Sequence, residues 1–70
     1  MNRIPVASID ITHVGYDQDA EILEIQFSSH SVYQYFNVPS KIYDTLMNTP
    51  TKEEYYHTHI GQRFPYRRVE

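Results

Sequence analysis

The residues of this chain best equipped for chemistry are two sets of aromatics, one of them interleaved with arginine. The first is Tyr33-Gln34-Tyr35; the second is Arg63, Phe64, Tyr66, Arg67 and Arg68. Ring faces stack on nucleobases without a sequence code and guanidinium groups hold phosphates, so the combination suits a single-stranded RNA segment or a nucleotide. His59 adds a ring that could contact the same ligand. The same rings also suit a second use, as the core of a domain too small to rely on leucine alone. Three arginines would give only a shallow salt dependence, a log–log slope of about −2 for single strands. The formal charge of −3 argues against coating nucleic acid by bulk electrostatics.

Other chemistries lack their parts. His57 and His59 are two residues apart in a predicted helix, roughly 160° around its axis, and cannot chelate one ion. His13 and His30 fall at a bulge and a turn with no carboxylate or thiol at useful spacing, so no metal or other cofactor is expected. His59 lies on an apolar stripe, where a packed, hydrogen-bonded histidine is the plain reading. Ser28, Ser29 and Ser31 surround His30, but serines in a hairpin serve as turn formers. Neither a Gly-x-Ser-x-Gly elbow nor a glycine-rich phosphate loop is present. Glu53 and Glu54 sit where a helix dipole accounts for them, and Asp17 and Asp19 form a solvated turn. No enzymatic activity is expected.

The elements that must position these residues can be read from periodicity. Residues 8–16 predict a first strand whose alternation slips: Ile9 and Ile11 share one parity, Val14 and Tyr16 the other. One extra residue near Thr12-His13 repairs it, so a bulge is expected there. Residues 21–27 predict a second strand, with Leu23, Ile25 and Phe27 on one face. Residues 32–36 return antiparallel as a third. A two-residue loop at Ser29-His30 would point Tyr33 and Tyr35 away from the apolar set. A three-residue loop over 28–30 pairs Ile25 with Tyr33 and Leu23 with Tyr35, and needs a left-handed residue at position 30, which histidine tolerates. The second geometry is favoured, because Gln34 then points out of the core.

Pro39 suits the first turn of a helix, with Ile42, Tyr43, Leu46 and Met47 on one arc and Asn48-Thr49-Pro50 as its stop. Thr51 and Glu54 have the spacing of a capping box, opening a second helix. Tyr55, Tyr56, His59 and Ile60 form its stripe, and Gly61 its C-terminal cap. Residues 62–69 could add a short edge strand. The expected fold is α+β: a three-stranded antiparallel meander followed by two short helices on one face.

Seventy residues allow one domain, 1–70, ordered over about 5–69. The absence of cysteine removes disulfides and thiolate sites and fits the cytoplasm. No apolar run approaches the roughly 18 residues of a membrane span, and the first residues do not resemble a signal peptide. A soluble cytoplasmic protein without a membrane partner is expected.

Read in order, Gly15-Tyr16-Asp17, Leu23 to Phe27, Tyr33-Gln34-Tyr35, Val38-Pro39, Tyr43-x-x-Leu46 and Thr51 through His59-Ile60 to Tyr66 resemble the KTSC domain. That domain occurs at the C-terminal end of some lysyl-tRNA synthetases and as small stand-alone proteins. The resemblance runs from about residue 5 to residue 69, and its synthetase context suggests RNA as a partner. Two positions depart from the family pattern: His30 replaces a usual glycine, and Thr51-Lys52-Glu53 replaces Ser-x-Gly. If that glycine admits a ligand phosphate to the backbone, Glu53 removes the contact. The alternative function is a protein-interaction or dimerisation module, with Val32 and Phe36 forming an apolar patch on the open face of the sheet.

Overall fold

The computed structural model describes residues 3–70. Five strands form one antiparallel sheet in sequential order: β1 (Arg3–Pro5), β2 (Ile11–Asp17), β3 (Ile22–Phe27), β4 (Val32–Tyr35) and β5 (Tyr66–Arg68). Helices α1 (Ser40–Asn48) and α2 (Lys52–His59) lie between β4 and β5. The fold is α+β as expected, and the tail does supply an edge strand.

Hairpin geometry decides which face each side chain takes. The β2–β3 register shifts between Ile11 and His13, the expected bulge. It brings Ile11 and Val14 onto one face despite their odd spacing, and both are buried. At the next turn, Ser28-Ser29-His30 is a three-residue loop, with His30 at φ 73°. The Phe27 N–H donates to Ser31 O, and the His30 N–H to Phe27 O, both at 2.9 Å. Leu23 therefore pairs with Tyr35 and Ile25 with Tyr33, as expected, so both tyrosines share the apolar face. Ile11, Val14, Leu23, Ile25 and Tyr35 from the sheet pack on Val38, Leu46 and Ile60 to make the core.

Several local expectations fail for identifiable reasons. Residues 8–10 are not strand: Ile9 is 85% exposed, and its N–H donates to Glu53 Oε2 at 2.7 Å instead of to a ladder. Arg3–Pro5 takes the place beside β2, too short a segment to betray itself by alternation. Pro39 stands outside α1 as its extended N-cap (φ −65°, ψ 151°) and not within its first turn. Thr51 makes no side-chain cap bond, so the capping box is not formed. Gly61 does not adopt positive φ; its N–H donates to Tyr56 O at 2.8 Å, and Ile60 is the C-cap. A Cβ at residue 61 would stand 3.3 Å from the Tyr56 ring, so close approach explains the glycine there.

The opposite face of the sheet is closed by polar side chains. Registers place Arg3, Gly15, Glu24, Gln34 and Arg67 in one row across all five strands. Gly15 has no side chain in that row, which lets Arg3 reach over it to Glu24, Nε to Oε2 at 3.4 Å. Gln34 Nε2 donates to Glu24 Oε1 at 2.9 Å, and Arg3 extends to the Glu70 carboxylate at 3.8 Å. A paired and hydrogen-bonded carboxylate tolerates the burial seen for Glu24.

Candidate functional site

The helices cover the packed face unequally. On the α1 side, Tyr43 stacks on Tyr16 at 4.9 Å with the rings 10° from parallel. The Tyr16 hydroxyl donates to Val38 O. Its pKa is raised, by desolvation first and then by Glu21, Asp44 and Asp17, so the phenol keeps its proton.

On the α2 side the cover stops short. Tyr56 reaches down from α2 and its hydroxyl bonds that of Tyr35. Tyr35 is 1% exposed. Burial, then the Tyr56 bond, pushes its pKa well above the usual phenol range. Tyr35 is thus a core residue that positions Tyr56, not a surface for a ligand. Beyond it, Tyr33 is half-buried, with Tyr56 and His57 of α2 across the groove. Tyr66 is 58% exposed, and its ring centroid lies 5.7 Å from those of both Tyr33 and Tyr35. These rings, with Ser31, Tyr56, His57 and Gly61, line a groove of about 390 Å³.

The groove adjoins a hollow of about 350 Å³ lined by Asp10, Ile11, Ser28, Ser29 and Glu53, with Phe27, Tyr56 and His57 shared between the two. Phe27 meets Tyr33 and Tyr56 edge-on, at 5.8 and 5.4 Å, which fixes the ridge dividing them. The Ile9 N–H donates to Glu53 Oε2 at 2.7 Å, and bonding from backbone N–H groups holds the carboxyl below the usual range. The Glu53 carboxylate on the hollow's wall is therefore ionised near neutral pH.

The residues expected to bind a ligand are only partly brought together. Tyr33, Tyr66 and Arg68 converge: Arg68 pairs with Tyr33 and shares its face, and its Nε donates to Glu70 O at 2.9 Å. Arg67 pairs with Gln34 and lies on the opposite face. Arg63 is exposed in the turn after α2, and Phe64 is half-buried against the core, so neither ring face nor charge from that turn lines the groove. His59, expected to be packed, is exposed. Its ring lies 4.7 Å from Tyr55, beside Thr51 and Glu54 and away from the groove. The physical reason is length: α2 ends at His59, and only Ile60 turns inward. The histidine of the groove is His57, stacked edge-on against Tyr56 at 5.2 Å. Its partner Tyr56 could have been found only by knowing that α2 stops short of β5.

The apolar patch expected at Val32 and Phe36 is not there. Val32 does point to the open face, but it is 1% exposed. Its backbone is bonded to both Val69 and Glu70, and the Arg3–Glu70 pair crosses the same face. Phe36 is half-buried. Among the described residues no group of three or more His, Cys, Asp or Glu could hold a metal ion. No helix among them is long and apolar enough to cross a membrane.

Residues 7–64 match the KTSC domain. The chain belongs to the KTSC domain family. The crystal structure of a KTSC domain protein from Yersinia pestis superposes with a TM-score of 0.96 at 35% identity, covering 99% of this chain and 97% of that one. A lysine–tRNA ligase from Trichormus variabilis is 37% identical over 59 residues, 84% of this chain but 10% of the ligase. A protein from Tsukamurella paurometabola is 30% identical over 60 residues, 86% of this chain and 90% of that protein. The KTSC chain thus spans about a tenth of the ligases it resembles, against 90% of the Tsukamurella protein.

Proposed function

We propose that this KTSC domain is a non-enzymatic binding module of the cytoplasm that holds unpaired RNA by stacking a base in the groove between Tyr33, Tyr66 and Tyr56. The observation that carries the reading is the Tyr33–Tyr66 pair beside Arg68: Tyr66 is 58% exposed, and its ring lies 5.7 Å from that of the half-buried Tyr33. A ring exposed at that position contributes little to the core, whereas stacking a base is worth about 1–3 kcal/mol. Arg68 supplies the phosphate contact that orients the strand. The ligase relatives, whose name includes tRNA, agree with RNA as the polymer. With a net charge of −3 and one arginine on this face, binding is weak in isolation and salt-sensitive.

The test is an NMR titration of the isotope-labelled domain with short single-stranded RNA at low and moderate salt. Shifts clustering on Tyr33, Tyr56, His57, Tyr66 and Arg68, and fading with salt, are the expected result. An unchanged spectrum at millimolar RNA would sink the proposal.

A further inference from the structure

We infer that the cleft takes the terminal nucleotide of a strand and excludes internal ones. This rests on the RNA reading above and deepens it. Three features of the cleft converge on it.

Stacking room comes first. Tyr35 is buried and its hydroxyl is engaged by Tyr56, so the faces offered to a ligand are those of Tyr33 and Tyr66. A groove of about 390 Å³ between those rings, Tyr56 and His57 has space for one nucleoside. Charge is the second feature. Arg67 is on the other face, and Arg68, which pairs with Tyr33, is the arginine of β5 on the groove's face. It can serve one phosphate.

The third feature is the direction in which a strand could continue. Past the Phe27–Tyr56 ridge the cleft runs into the hollow of Asp10 and Glu53, whose lining holds no lysine or arginine. Glu53 accepts the Ile9 N–H there. A phosphodiester passing that way would meet two carboxylates, and like charges in a partly enclosed site repel strongly. The Arg68 side is therefore the favoured exit for the polyanion. A site entered from one side by a polyanion accepts the polymer's end.

The experiment uses the full chain and three uridine probes: uridine 5′-monophosphate, linear hexauridylate with hydroxyl ends, and the same hexamer covalently circularised. The linear hexamer and the mononucleotide should bind within about threefold of each other, and the circle about tenfold or more weaker, a difference of about 1.4 kcal/mol. Asp10→Asn, at an exposed position, should recover part of the circle's loss by lowering the barrier. A circle binding as tightly as the linear hexamer would overturn the inference. So would affinity climbing with every added nucleotide at a log–log salt slope of about −2 or steeper. Either result would leave RNA binding in place; failure of all three probes at millimolar concentration would remove the RNA reading itself.

Discussion

The packed face of this KTSC domain carries two tyrosine clusters that differ in one respect. Around α1, Tyr16 and Tyr43 stack nearly parallel, and the Tyr16 hydroxyl is spent on a backbone carbonyl. Around β5, the Tyr33 and Tyr66 rings are tilted at 44°, and Tyr66 is 58% exposed. Residue type is the same in both places, so the number of tyrosines says nothing about where a ligand binds. Exposure separates the rings: Tyr16, Tyr43 and Tyr33 are half-buried against the core, and Tyr66 is 58% exposed. Between them lie the buried Tyr35 and the half-buried Tyr56, joined through their hydroxyls.

Substitutions can break or sharpen that contrast. The largest effect should come from Leu46→Ala, which empties the fully buried contact of α1 with the sheet. A loss of about 2–5 kcal/mol is expected from urea unfolding, enough to unfold much of so small a domain. Tyr66→Ala should do the reverse. Its stability should stay within about 0.5 kcal/mol of the parent, while RNA affinity falls by about 1–3 kcal/mol. If Tyr66→Ala unfolds the protein as Leu46→Ala does, the two clusters are one core and the groove is not a site.

A finer comparison removes only hydroxyls. Tyr16→Phe should cost about 0.5–1.5 kcal/mol in thermal or urea unfolding, as a made hydrogen bond is lost and Val38 O is left short of a partner. Tyr66→Phe should cost nothing measurable. The arginines test the sidedness of the same strand: Arg68→Ala should weaken RNA binding and reduce the log–log salt slope by about 0.7, whereas Arg67→Ala should change neither. The smallest effect expected is acid sensitivity at the hollow. The Glu53 carboxyl is lowered in the folded state, so its stabilisation is present above its unfolded pKa and is lost as pH falls through the folded value. Glu53→Gln should flatten the decline of stability below about pH 4.

Short-range rules made much of this fold legible in advance. The slip between Ile11 and Val14 predicts the bulge, and the left-handed demand at His30 fixes which way Tyr33 and Tyr35 point. Both follow from the period of a strand and the arithmetic of a loop. What escaped was non-local. Glu53 is claimed by an N–H 44 residues away, so its helix position gave no hint of its task. Arg3 reaches Glu24 and Glu70 across the sheet and helps bury the face where Val32 lies, a contact no window of sequence contains. Half of the candidate site was visible, Tyr33, Tyr66 and Arg68. Tyr56, His57 and the acidic hollow were not, because they depend on where α2 ends relative to β5.

The placement of both helices between β4 and β5 has a kinetic side. Every other strand pair closes a short turn, but Tyr35 and Tyr66 meet only after thirty intervening residues have been arranged, the costliest loop in the sheet. β5 is also three exposed residues long at a sheet edge. It should join last in folding and detach first in the native state, its amides exchanging ahead of those of β3. The wall bearing Tyr66 and Arg68 is then the hinged side of the groove, and opening it does not require unfolding the core.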